Sequence, residues 1–146
     1  MVYPVYNNVF KIGTKGLQST ESDMKTIADL ETFEVSFDNN IEEWSPMDLE
    51  GWKRRLATGK GLGITLSGKR NTDDDGNNYI SGMSFKSGTA LYSKFEWIMI
   101  DGTKVEFNCV INVTNNSGGD STNVAALEFE VLCDGKPTVT PGSDSV

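Results

Sequence analysis

The run Gly63-Ile64-Thr65-Leu66-Ser67-Gly68-Lys69-Arg70 comes within one residue of the phosphate-loop pattern G-x-x-x-x-G-K-[ST], whose backbone amides would cradle a nucleotide's phosphates. Arg70 stands where a hydroxyl residue would bind magnesium. The interior also alternates like a strand, whereas a phosphate loop follows a strand and opens a helix. Asn71-Thr72-Asp73-Asp74-Asp75-Gly76 has the first half of a calcium loop, with oxygen ligands at alternate positions, but Gly82 occupies the place of the bidentate glutamate. It reads as an acidic turn.

The chain contains no histidine, which removes the most common general base and every Ser-His or Cys-His nucleophile. Glu42 and Glu43 are adjacent carboxylates with no spacing that builds an acid/base pair. Cys109 and Cys133 are too few for a zinc site without histidine. Both are in phase with the apolar residues of candidate strands and read as small buried hydrophobes, with a disulfide or reactive thiol as the alternative. Asn112-Val113-Thr114 and Asn115-Asn116-Ser117 match the glycosylation pattern, which has no consequence in a cytosolic protein. Trp44, Trp52 and Trp97 are the aromatic residues that a carbohydrate-binding platform would need. No catalytic residue, cofactor site or metal site is expected.

Elements that would position such groups follow from periodicity. Phe95 to Ile100 and Thr103 to Val113 alternate on either side of Asp101-Gly102, a type I′ hairpin signal. The second run places Val105, Phe107, Cys109, Ile111 and Val113 on one face and mostly polar residues on the other. Residues 115 to 121 read as an exposed loop. Val124 to Cys133 is a further strand ending at Asp134-Gly135. Phe33 to Phe37 alternates, as do Leu62, Ile64 and Leu66.

Between these two strands Ser45, Pro46 and Asp48 look like a helix start, and Leu49, Trp52 and Leu56 recur at helical spacing before Gly59. A helix over about 46–58 is expected, packing Leu49, Trp52 and Leu56 onto the sheet and presenting Lys53, Arg54 and Arg55 for salt bridges to a neighbouring subunit. A second short helix is expected at about 77–85. Residues 14 to 30 show no sustained period and suggest a long loop.

With 146 residues and 37% hydrophobic composition, the chain has material for one core, so a single domain over 1–146 is expected. It would carry an N-terminal arm or long loop at about 1–30 and a C-terminal tail at about 137–146. The net charge of −8 disfavours binding to nucleic acid or anionic lipid. No apolar run approaches the roughly eighteen residues of a membrane span, and the start lacks a secretory layout. A soluble protein made in the cytosol, without membrane insertion, is expected.

Four segments resemble the tail tube proteins of long-tailed, siphovirus-type phages and prophages of Gram-positive bacteria. They are FEVSFDNNIEEWSPMDLEGWKRRLATGKGLGITLSGKR, DGNNYISGMSF, FEWIMIDGTKVEFNCVINVTNN and GGDSTNVAALEFEVLCDGKPTVTP, in order from Phe33 to Pro141. The resemblance implies a mainly β fold, a two-sheet antiparallel β-sandwich or small barrel with a flanking helix. It implies a non-enzymatic subunit whose hexameric rings stack into a conduit for double-stranded DNA, which passes without specific binding.

Rings would be joined through a long loop near the N-terminus and the terminal arms, placing Gly13, Thr14, Lys15, Gly16, Leu17, Gln18, Asp23 and Met24 between rings. The implied partners are further copies of the chain, a tape measure protein, a tail terminator and distal tail or baseplate proteins. The implied location is the virion tail, assembled in the host bacterial cytoplasm. The resemblance assigns no role to Cys109 and Cys133. Alternatives are the inner tube of a contractile phage tail, tail-like bacteriocin or other contractile injection system and, from a different class, a carbohydrate- or protein-binding β-sandwich module.

Overall fold

Alternating apolar residues dominate the chain from Val9 onward, and they fold as strands. In the computed structural model, which describes residues 2–142, the elements in order are β1 (Val9–Gly13), β2 (Met24–Thr26), β3 (Leu30–Trp44), β4 (Arg54–Lys69), α1 (Asp75–Gly82), β5 (Tyr92–Ile98), β6 (Lys104–Asn116), β7 (Ala126–Cys133) and β8 (Thr138–Thr140). All strand pairs are antiparallel, and the sheet order is β2-β1-β5-β6-β7-β4-β3. β8 pairs with the start of β6, beyond the point where β7 ends.

This sheet curls until its two ends face each other across one core. Phe10 on β1 meets Phe33 on β3 edge to face, with ring centroids 4.8 Å apart, and Trp97 and Phe95 on β5 complete the aromatic cluster. Between β2 and β3 the chain crosses the seam: Ile27 N donates to Phe10 O at 3.0 Å, and Asp29 O accepts from Lys69 N at 2.9 Å. Buried Ile12, Ile64, Leu66, Phe95, Phe107, Ile111, Phe129 and Val131 fill the interior. Helix α1 and the residue that follows it cover one side with Ile80 and Met83.

The mainly β antiparallel class is as expected, but the strands form one continuous sheet rather than two. The link is β4 to β7, whose ladder runs from Gly63–Leu132 to Lys69–Ala126 and joins the N-terminal strands to the C-terminal ones. The expected Asp101-Gly102 hairpin is present, with a different turn. Met99 N donates to Thr103 O at 2.8 Å and Gly102 N to Met99 O at 3.0 Å, so three residues close the loop, and only Gly102 takes positive φ (89°). This is a type I turn completed by a glycine bulge.

The helix expected over 46–58 does not form. That stretch holds a single 3₁₀ turn (Met47–Leu49), then Glu50 and Gly51 at positive φ, and from Arg54 onward it is strand. Two causes are visible. Gly51 sits in the interior of the segment, where glycine weakens a helix, and residues 39–44 offer a ladder to Arg54–Lys60, with one bulge at Thr58. Leu49, Trp52 and Leu56 therefore do not pack on the sheet: all three are exposed, Trp52 at 77% and Leu56 at 58%.

The second helix does form, as α1, starting two residues earlier than expected. Asp74 caps it, accepting from Asn77 N at 2.9 Å, and also holds Ala28 N at 3.0 Å. At Gly76 a Cβ would run into the Thr26 carbonyl, so glycine is what lets the helix start press against the end of β2.

Residues 14–30, expected as a loop, are locally organised. Two 3₁₀ turns (Gly16–Gln18 and Glu21–Asp23) lead into β2, and Thr20 and Asp23 form a reciprocal capping box. The C-terminal tail begins as β8; residues 143–146 lie outside the described residues.

Candidate functional site

β3 and β4 share the longest ladder in the fold, from Leu30–Gly68 to Trp44–Arg54. Its first part belongs to the core: Phe33 pairs with Leu66 and Val35 with Ile64. Phe37 continues that row next to Leu62 but is 61% exposed, and beyond it the hairpin leaves the body. Ile41, Trp44, Met47, Leu49, Trp52 and Leu56 are all exposed along this projection.

On β4, Gly59, Gly61 and Gly63 recur at every second position, opposite Asn40, Asp38 and Ser36. A strand row without side chains weakens the strand and leaves room for another backbone to come close.

One ion-pair cluster forms at the hairpin's tip. Glu43 holds Arg55 at 2.7 Å and Lys53 at 3.5 Å, and its hydrogen bond from Arg55 keeps its carboxyl below the usual range. Arg54 lies over the Trp44 ring, 5.7 Å from its centroid. Of the three cations expected to reach a neighbour, Arg54 alone has no carboxylate within ion-pair distance among the described residues.

The segment expected to join rings is folded over the outside of its own sheet. Thr14 donates to Asp23 O through both N (3.2 Å) and Oγ1 (3.0 Å), Lys15 lies 3.7 Å from Asp23, and Gly13 packs directly on Ser19. Lys94 on β5 donates to Ser19 O at 3.2 Å. Gly13 is buried, Thr14, Gly16, Asp23 and Met24 are half-buried, and Lys15, Leu17 and Gln18 face solvent. Asp23 is held below the ordinary carboxylate range, chiefly by its hydrogen bond from the Thr20 backbone.

Under this flap lies Glu96, 2% exposed, beside a cleft of about 390 Å³. Its carboxylate is 2.7 Å from Lys104 Nζ, which also reaches Glu21 (3.5 Å) and Glu106 (3.6 Å). The adjacent Glu96 pushes the Lys104 ammonium above its ordinary pKa. Neither Glu96 oxygen has an aligned hydrogen-bond donor. Glu21, Glu96 and Glu106 bring carboxylate oxygens within 4.8 Å of one another, the spacing a cation needs, and the Lys104 ammonium already sits among them.

The motifs that suggested chemistry have structural places. The phosphate-loop-like run is the C-terminal half of β4 and the residue after it, with Lys69 paired to Glu31 at 2.9 Å. The calcium-like turn is the start of α1, tied down by Asp74 and by Asn71 Nδ2 donating to Asp29 Oδ2 at 2.6 Å. Trp97 belongs to the aromatic core and donates to Asn8 Oδ1 at 2.9 Å, so it joins no surface platform with Trp44 and Trp52. No helix among the described residues is long and apolar enough to cross a membrane.

Sequence reading missed the hub at Asn77, fully buried, which accepts from Arg70 Nη1 (2.9 Å) and Asn71 N (3.0 Å) and donates to Lys69 O (2.9 Å) and Ala28 O (3.2 Å). An asparagine directly after the Asp75-Gly76 helix start was the available signal.

No family model matches the chain, and no curated protein matches it in sequence. Solved structures do match in fold. A chain from the tail of an empty gene transfer agent particle with C6 symmetry superposes with a TM-score of 0.74 at 18% identity, covering 95% of this chain and 99% of that one. The two chains share one fold. A chain from an extracellular contractile injection system, in its PVC sheath-tube complex in the extended state, gives 0.60 at 12% identity over 96% and 92% of the two chains. One from the anti-feeding prophage cap, which terminates its tube, gives 0.61 at 12% identity over 97% and 93%. At these identities the likeness is one of fold, and it spans nearly the whole of each chain.

Proposed function

We propose that this chain is a tail tube subunit, a non-enzymatic structural protein that stacks as hexameric rings around a conduit for double-stranded DNA. The observation that carries this reading is the β3–β4 hairpin. It puts seven large apolar side chains, from Phe37 to Leu56, into solvent along β3, the turn after it and the start of β4, at the end of the sheet. An exposed apolar strand edge invites pairing with another chain, and a closed ring of identical subunits satisfies every such edge.

Fold likeness to a chain of a C6-symmetric tail supports a ring of six. The charge of −8 supports a lumen that repels phosphate and lets DNA pass. Exposed Lys15, Leu17 and Gln18 then belong to the joint between rings, and Arg54 to a salt-sensitive contact between subunits. The four segments cited above support placement in a siphovirus-type phage or prophage of Gram-positive bacteria, with the tape measure, terminator and baseplate proteins as partners.

A second reading, the inner tube of a contractile system, is favoured by the likeness to the sheath-tube complex and the tube-terminating cap. A sheath gene found beside this one would favour it.

The test is sedimentation of wild type against Phe37→Ser/Ile41→Ser/Trp52→Ser at matched high concentration. Wild type is expected as rings or longer stacks, and the triple variant as folded monomer. Wild type remaining monomeric, or the variant assembling equally well, contradicts the reading.

A further inference from the structure

β6 and β7 place Cys109 directly opposite Cys133. Asp134 N donates to Asn108 O at 2.7 Å, so the next residues inward, Cys109 and Cys133, are a non-hydrogen-bonded pair. That is the narrow site of an antiparallel ladder, with Cα atoms about 4.5 Å apart. Disulfides span Cα separations of roughly 4.4–6.8 Å, so the backbone already meets the requirement. Both side chains point to the same side of the sheet: Cys109 is in the core, and Cys133 packs against it at the margin. Both are thiols in this structure.

We infer that Cys109 and Cys133 are a latent cross-strand disulfide, formed by exchange with a low-molecular-weight disulfide such as oxidised glutathione once the protein leaves reducing surroundings. Cys133, partly exposed, reacts first. It loses its proton to solvent, and its thiolate attacks one sulfur of the oxidised glutathione. That S–S bond breaks, one glutathione leaves as thiolate, and a mixed disulfide remains on Cys133. Cys109 then loses its proton, attacks Cys133 Sγ and releases the second glutathione. Two protein thiols are oxidised by two electrons, and one glutathione disulfide is reduced to two thiols.

Burial pushes the Cys109 thiol up to about 12, and burial together with Asp134 raises Cys133. The thiolate fraction is therefore small at neutral pH, and the exchange is slow there and faster in mild alkali. The product fastens the end of β7 to the middle of β6, where the chain leaves for β8. The inference rests on register alone and does not depend on the tube reading.

The test incubates the intact purified protein with oxidised glutathione at mildly alkaline pH, then unfolds it and alkylates remaining thiols. Expected are loss of both alkylatable thiols, a peptide linking Cys109 to Cys133 within one chain, and a melting temperature shifted upward and restored by reductant. Cys109→Ala should stop at a mixed disulfide on Cys133, and Cys133→Ala should leave Cys109 reduced. Two free thiols after prolonged incubation, a link formed only between chains, or a mixed disulfide on Cys133 that never resolves in the wild-type protein overturns the inference.

Discussion

Phe10 and Phe33 sit on β1 and β3, five places apart in the sheet order, yet their rings meet edge to face at 4.8 Å. That contact is the closure of the curled sheet, and it depends on both ends being fully formed. Truncating a buried phenylalanine costs about 3–5 kcal/mol. Phe10→Ala should therefore lower the urea midpoint sharply, and a double-mutant cycle with Phe33→Ala should show coupling of roughly 0.5–1.5 kcal/mol beyond the lost area. Additive effects would mean that the two ends of the sheet fold independently.

Asn77→Ala should be nearly as damaging in a residue with no apolar bulk. It strands Asn71 N as a donor and the Lys69 and Ala28 carbonyls as acceptors, and leaves Arg70 Nη1 with Asn71 O alone. Each buried group left unpaired costs about 1–3 kcal/mol. Thermal denaturation checks this, and a loss under about 0.5 kcal/mol, the usual range for surface changes, would contradict the hub.

Trp52→Ala should leave the melting temperature within the small range of surface substitutions. The same variant should assemble less well, because the indole is available to a neighbour. A large loss of monomer stability would mean that Trp52 is covered within its own chain.

How much of this was legible in the sequence depended on what each apolar pattern reports. Val105, Phe107, Cys109 and Ile111 alternate because they fill their own core, and period two gave the strand directly. Leu49, Trp52 and Leu56 are spaced like a helix face, but they lie on a projection that the monomer does not bury, so their spacing carried no information about its packing. Register was also out of reach. Cys109 and Cys133 were each in phase with a core face, but that they stand opposite each other depends on where β7 meets β6. The flap's order comes from Ser19, Thr20 and Asp23 bonding to backbone a few residues away, which leaves no apolar period.

The flap should respond to acid with a definite sign. Asp23 has a folded pKa below its ordinary 3.8, so its contribution is present above that value and is lost as pH falls through the lower folded one. Thr20 N donates to Asp23 Oδ2 at 2.9 Å. Amide exchange at Thr20 should stay protected at pH 5 and rise relative to core amides as pH drops below the ordinary range. Asp23→Asn should shift that transition or abolish it, and identical acid profiles for the two proteins would remove Asp23 from the account.

The central claim is that the exposed β3–β4 hairpin is an assembly surface. Electron microscopy of the purified wild-type protein at high concentration tests it most directly. Six-fold rings or stacked tubes, absent from the Phe37→Ser/Ile41→Ser/Trp52→Ser variant, are the expected result; fields of discrete monomers at every concentration would contradict it.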